Sequence, residues 1–288
     1  ETRFRLYNPY IFSHDILHIV SSNVSSEFFP LSRKKVFTMK IGLGILEVTC
    51  DKSKNLDQMV SMAEEASKSG ADLILFPEAA PTGLINSDDP MKDMKLGEPI
   101  PGPATSLLSQ AAVKGNTYIA TGIFEKDGNS LYDSAVLIDP CGHIALKYRR
   151  ISPHWHRRGA NPLFYRHGNS ISKVKTPLGS FAFLICGDLF DDYLTQQVKN
   201  LQVDWLLYPF ARCFDDGSYD QKRWDTEEKP EYIRCALKTG ATSIMVNYLS
   251  HEDLGDGNSF GGAMVVGKNG NVIKEVPLGK AGLFIAET

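Results

Sequence analysis

Phe181-Ala-Phe-Leu-Ile-Cys186-Gly187-Asp188 is the stretch from which the fold of this chain can be read. Five apolar residues run straight into a cysteine, a glycine and an aspartate. The apolar run predicts an interior strand. Gly187 permits a sharp turn, and Asp188 is suited to cap a following helix. Strand, tight turn and helix make a nucleophile elbow, here with sulfur at its tip. A helix N-terminus at that point favours a thiolate. The competing reading is a small buried core cysteine at a strand end.

Outward from the elbow the pattern alternates between strand and helix. Residues 40–48 predict a buried strand. Residues 53–69 predict a helix, with Leu56, Met59, Val60, Ala63 and Ala66 on one face and Gly70 as its stop. Residues 71–76 predict an interior strand ended by Pro77. A second helix is expected over 103–114, then strands over 118–124, 134–138 and 143–148. Beyond the elbow come a helix at 193–200, a strand at 205–208, a helix at 231–238 and strands at 243–248, 263–266 and 272–276. This order predicts an α/β fold with sheet covered by helices. The chain also echoes itself: Gly70-Ala-Asp-Leu-Ile-Leu-Phe-Pro-Glu78 resembles Gln202-Val-Asp-Trp-Leu-Leu-Tyr-Pro-Phe210. Ser134-Ala-Val-Leu-Ile-Asp-Pro-Cys-Gly142 resembles Gly262-Ala-Met-Val-Val-Gly-Lys-Asn-Gly270. Two like halves suggest two like sheets packed face to face. Glu78 stands against Phe210 in this echo, and Lys147 against Glu275, so the scaffold does not itself demand the two ionisable groups.

Composition narrows the function classes. With 31 Lys+Arg against 34 Asp+Glu in 288 residues, the net charge is −3, which gives no argument for a nucleic-acid partner. No apolar run is long enough to span a membrane. The 5 cysteines are odd in number and include no CxxC, which speaks against a disulfide framework or a cysteine-rich zinc site and for a reducing, cytoplasmic setting. His154 and His156 have a spacing that metal ligands can use, but no acidic or cysteine partner is near in sequence, so no metal is expected. Residues 1–38 show no sustained periodicity and read as a leader or arm. Met39 precedes the first strand directly, and 39–288 reads as a single domain.

Two further segments carry chemistry. In Phe76-Pro77-Glu78 a carboxylate follows an apolar strand, at the end where α/β sheets hold their ligands. Burial there raises a carboxyl pKa and makes it a usable base; the competing reading is a buried structural glutamate paired to backbone donors. In Leu146-Lys147-Tyr148-Arg149-Arg150 the lysine is either a solvated edge charge or a partner for an oxyanion.

In order along the chain, Phe-Pro-Glu78, Asp139-Pro-Cys-Gly142, Leu146-Lys147-Tyr148, Cys186-Gly-Asp188, Asp204-Trp-Leu-Leu-Tyr-Pro209 and Val246-Asn247 resemble the nitrilase superfamily of carbon–nitrogen hydrolases. The resemblance implies a four-layer αββα sandwich of two pseudo-symmetric halves. It also implies a Glu78-Lys147-Cys186 triad, a homodimer or larger homo-oligomer, and no metal or organic cofactor. In the implied chemistry Glu78 takes the thiol proton and Cys186 attacks. Lys147 and the Gly187 backbone N–H hold the oxyanion, and water cleaves the thioester. Many members carry a second active-site glutamate beyond the lysine. Trp155 stands there, and no Asp or Glu occurs from Lys147 through Cys186.

Gly187-Asp188 is more like the amidase and carbamoylase branches than the nitrile-cleaving one. The expected substrate is therefore a small linear amide or N-carbamoyl compound. Nitrile cleavage and a non-catalytic binding or scaffolding descendant are the alternatives. Arg149, Arg150, Arg157 and Arg158 cluster around His154-Trp155-His156. One reading of that cluster is an anionic substrate group or an acidic partner surface, the other a solvated face. Arg212 is the expected clamp for a substrate carboxylate.

Overall fold

A computed structural model describes residues 38–254 and 258–288. The expected leader or arm, apart from its last residue, lies outside the described residues. In chain order the first half holds β1 (Lys40–Ile45), β2 (Glu47–Val48), α1 (Lys52–Lys68), β3 (Leu73–Leu75), α2 (Pro90–Leu96), α3 (Pro103–Gly115), β4 (Tyr118–Asp127), β5 (Ser130–Ile138) and β6 (Ile144–Arg149). The second opens with β7 (Val174–Thr176), β8 (Gly179–Phe183), a 3₁₀ turn (Cys186–Phe190), α4 (Asp192–Leu201) and β9 (Trp205–Phe210). Then α5 (Gln221–Arg223) runs through a π turn (Trp224–Glu228) into α6 (Lys229–Thr239). The strands β10 (Thr242–Asn247), β11 (Leu249–Ser250), β12 (Ala263–Val266), β13 (Val272–Val276) and β14 (Gly282–Glu287) complete the chain.

The echo in the sequence is a structural repeat. One sheet has the order β14-β1-β3-β4-β5-β6 and the other, read from its far edge, β7-β8-β9-β10-β12-β13. In each, three parallel strands precede two antiparallel ones. Side chains alternate between the faces of each sheet. Leu43, Leu75 and Ala135 of the first sheet join Phe181, Leu207 and Met245 of the second in one apolar core. On the outer face of the first sheet, Ile74, Ile119 and Val136 pack with Met59 and Ala63 of α1 and Leu108 of α3. Leu194 and Val198 of α4 and Cys235 and Ala236 of α6 extend the core on the second half. The fold is the α/β sandwich with paired sheets inside and helices outside. Each fully buried Leu, Ile or Phe contributes roughly 1.5–3 kcal/mol.

Local signals explain most element boundaries. Asp51 caps α1 by accepting from the N–H groups of Ser53 and Lys54, at 2.9 and 3.1 Å. The single strand expected over 40–48 is broken after Ile45 into β1 and β2. β14 was not expected; it pairs antiparallel along all of β1, from Lys40↔Glu287 to Ile45↔Gly282. Its residues are mostly half-buried, so it carries neither an apolar run nor clean alternation. No helix among the described residues is long and apolar enough to cross a membrane.

Candidate active site

The elbow forms, with a different continuation from the expected one. Cys186 sits at φ +45°, in the left-handed region that side chains avoid, a conformation that costs about 1–3 kcal/mol. The chain then enters the 3₁₀ turn, and α4 begins only after Asp191, which caps it through the N–H groups of Tyr193 and Leu194. Asp188 is therefore not the expected helix cap. Its fully buried carboxylate accepts from Tyr148 Oη (2.7 Å), Ile185 N (3.0 Å), Ser152 N (2.6 Å) and Ile151 N (3.2 Å). These bonds tie the elbow to the end of β6. Tyr208 Oη donates to the Cys186 carbonyl at 2.7 Å and holds the turn from β9. Tertiary hydrogen bonds thus offset the strain at the cysteine.

Glu78 follows β3 across Pro77, and Ala79 after it is also left-handed, at φ +44°. The loop lies hard against β4. A Cβ on Gly122 would come within 2.5 Å of Glu78 Cα, so glycine is required there for the backbone to approach. The Glu78 side chain is fully buried and lies within hydrogen-bonding reach of Cys186. Burial, then the proximity of Cys186, against the pull of Arg150, push its carboxyl up to about 8.

Arg150 completes the cluster. Its Nη1 donates to Glu78 Oε1 at 2.9 Å and reaches Asp133 Oδ2 at 3.4 Å. Its Nε donates to Ser152 Oγ at 3.0 Å and Nη2 to the Pro153 carbonyl at 3.2 Å. Nη2 also crowds the elbow: a Cβ on Gly187 would lie 2.7 Å from it. Burial disfavours the guanidinium charge, but Cys186, Glu78, Asp133 and Asp188 more than offset this and keep it protonated. A thiol, a carboxyl of raised pKa and a buried cation therefore lie together at the strand ends, which makes this cluster the candidate active site.

The sequence profile of the carbon-nitrogen hydrolases matches residues 37–288. The chain belongs to the carbon-nitrogen hydrolase family. It is 30% identical over 182 residues to an omega-amidase from Mus musculus, covering 60% of this chain and 64% of that protein. It is 39% identical over 99 residues to a nitrilase from Pyrococcus abyssi, covering 34% of this chain and 37% of that one. The matched stretches thus span less than two thirds of these relatives' own lengths. The fold matches a carbon-nitrogen hydrolase from Helicobacter pylori G27 at TM-score 0.74 and 20% identity, over 87% of this chain and 89% of that chain. It also matches a variant of the amidase from Nesterenkonia sp. AN1 in complex with butyramide, at TM-score 0.71 and 19% identity, over 87% and 90% of the two chains. Another variant of that amidase, at TM-score 0.71, shows covalent addition of the acetamide moiety of fluoroacetamide at its active site cysteine.

In this family member, Lys147 does not join Glu78 and Cys186. Its Nζ donates to Glu125 at 2.9 Å, and its side chain is 37% exposed. The reason is strand parity. Lys147 and Arg149 point to one face of β6 and share Glu125, whereas Tyr148 and Arg150 point to the other and reach Asp188 and Glu78. Val136, directly opposite Lys147, belongs to the helix-covered outer core, and Ala135, opposite Tyr148, to the core between the sheets. Lys147→Met is expected to leave hydrolase turnover within about threefold of wild type and to cost at most about 1 kcal/mol, because Arg149 still holds Glu125 through two bonds. Steady-state rates with a thermal melt check this; a loss of 100-fold would return Lys147 to the site.

Arg212 lines the cleft of about 360 Å³ at Cys186, together with Gly187, Phe190, Glu228 and Tyr232. It is not a free clamp. Glu228 takes its Nε at 2.9 Å and its Nη2 as well, and Nη1 donates to the Cys213 carbonyl at 2.6 Å. Three arginines of the basic cluster are likewise drawn into pairs: Arg149 with Glu125 and Asp127, Arg150 with Glu78 and Asp133, Arg157 with Asp88. Trp155, which stands where the resemblance implied a second glutamate, is buried against Phe124 at 5.7 Å between ring centres. His156 meets His167 at 3.4 Å between their Nε2 atoms. Asp139, Cys141 and His143 lie within 4.8 Å of one another at the exposed β5–β6 turn. There Asp139 Oδ1 accepts from the backbone N–H groups of Cys141 and His143, at 2.9 Å each.

Sequence reasoning missed the place of Arg150 beside Glu78, Asp133 and the anchoring role of Asp188. Counting two residues forward from a buried Tyr148, to the position just past β6, would have found Arg150. Asp133 is opposite it across β5, where the Arg150 N–H donates to the Asp133 carbonyl at 2.8 Å.

Proposed function

We propose that this chain is a thiol hydrolase of small linear amides or N-carbamoyl compounds, working through a cysteine thioester. The observation that carries the reading is Cys186, held left-handed at a strand end between the buried Glu78 carboxyl and the buried Arg150 guanidinium. Glu78 accepts the proton of the thiol as sulfur attacks the carbonyl carbon. The C=O pair moves onto oxygen, where the Gly187 N–H and Arg150 face the developing charge. The C–N bond then breaks, and Glu78 returns the proton to the leaving nitrogen. Water, giving its proton to the same carboxylate, cleaves the thioester and frees the thiol. The cleft fits a small acyl group, and the pairing of Arg212 with Glu228 favours one without a carboxylate. The nitrilase relatives keep nitriles as the second reading.

A panel of short amides, N-carbamoyl amines and nitriles, read by ammonia release and by intact mass, tests this. An acyl adduct on Cys186 with amides supports it; turnover of nitriles alone replaces it. The pH profile is a second expectation. Glu78 must be ionised to accept the proton, and its carboxyl is held at about 8 rather than the ordinary value of about 4.3. kcat/KM should therefore rise with pH through neutrality and level off above about 8, a limb belonging to the coupled Glu78–Cys186 pair. A limb in the ordinary carboxylate range would remove Glu78 as the base.

A further inference from the structure

Two buried carboxyls share one cation beside the thiol. Glu78 and Asp133 are both almost wholly shielded from solvent. Both reach Nη1 of Arg150, at 2.9 and 3.4 Å, and they lie within hydrogen-bonding reach of each other. Yet Glu78 Oε2 and Asp133 Oδ1 each lack a hydrogen-bond partner. The third buried carboxylate, Asp188, shows no such deficit, since two backbone donors meet one of its oxygens and a phenol and a third backbone N–H the other. Two ionised carboxylates offer only acceptors to each other. At such proximity and burial, one of them retains a proton. A single proton turns the facing pair into donor and acceptor.

We propose that Asp133 is a positioning residue: it keeps this proton and donates it, as a hydrogen bond, to the Glu78 carboxylate. The proposal rests on the reading of Glu78 as the base for Cys186. The proton stays bonded to Asp133 throughout, and only Glu78 exchanges its proton with sulfur and the leaving nitrogen. The closer guanidinium contact at Glu78 decides which of the two carries the charge. Burial, and after it Glu78, raises the Asp133 carboxyl well above the usual range, in keeping with this. The other ionisable groups facing the pair are Arg150 and Tyr148 from β6, Cys186 and Asp188 from the elbow, Tyr208 from β9 and Tyr232 from α6. Burial pushes the three phenols above their usual range, so they stay neutral. The stretch from Lys147 to Cys186 holds no acid, and β5 thus brings a second carboxyl to the site from elsewhere in the chain.

The test uses the full chain and the rate of Cys186 alkylation by iodoacetamide across pH, followed at the peptide level so that the other cysteines do not interfere. Asp133→Asn keeps a donor without a charge, and its acidic limb should stay within about 0.3 unit of wild type. Asp133→Ala removes the donor, and its limb should move up by about one unit, with a roughly tenfold slower rate on the acid side. A downward shift in Asp133→Asn would mean an anion at 133 and overturns the proposal. An unmoved limb in Asp133→Ala makes Asp133 a bystander and overturns it too. Should Asp133→Ala fail to fold, the infrared difference between wild type and Asp133→Asn at neutral pH decides. Loss of a protonated-carboxyl band supports the proposal, and loss of a carboxylate band overturns it. Alkylation needs no substrate, so a chain without amide turnover would count against the hydrolase reading alone.

Discussion

Cys186→Ala is expected to lower amide turnover by roughly 10⁴-fold or more, because the attacking atom is gone and the covalent route with it. The fold should survive. The removed sulfur is only partly buried, its approach to the Ala211 carbonyl is a long 3.6 Å, and the bonds made by Asp188 and Tyr208 that hold the elbow do not involve it. The thermal midpoint should thus change little, within about 1 kcal/mol of stability. Ammonia release separates this outcome from simple unfolding, and intact mass should show no acyl adduct on the variant. Wild-type turnover from the alanine protein would dispose of the thioester mechanism.

Arg150→Met is the second large effect, and it acts on stability and chemistry together. The guanidinium is the cation between Glu78 and Asp133, and all three side chains are buried. Removing it leaves two buried carboxyls without this donor, at a cost of about 1–3 kcal/mol. It also removes the charge facing the oxyanion, worth about 10²–10³ in kcat. Arg150→Lys separates the two. An ammonium keeps the charge but cannot span Glu78, Ser152 and the Pro153 carbonyl at once. It should fold, with kcat reduced by about tenfold and KM changed less. If Arg150→Met keeps the wild-type kcat, the cation is structural and the oxyanion must be held elsewhere.

The absent loop acid and the displaced lysine bear on how this family member works. In the proposed site the cation is the guanidinium of Arg150, with its fixed fork, and the second carboxyl is Asp133 of β5. Both changes place more of the site inside the core between the sheets, where burial sets proton affinities more strongly than solvent does.

Much of this was legible in the chain. The apolar runs at 71–76 and 181–185, the helical spacing at 53–69 and the internal echo fixed two like sheets with helices outside, because burial of an apolar face depends on local periodicity. The strand-end positions of Cys186 and Glu78 were legible for the same reason: Cys186 closes an apolar run before Gly187, and Glu78 follows one across Pro77. Lys147 was misplaced because residue type alone says nothing about which face of β6 a side chain takes. That is settled by the pairing of β5 with β6, which makes 147 and 149 outward and 148 and 150 inward. Arg212 was misjudged because its partner, Glu228, arrives from the π turn beyond the next loop. Asp133 and Asp188 had no local mark at all. An acid's role depends on which donors and charges surround it, and those come from strands far apart in sequence, brought together only when the two sheets close on each other.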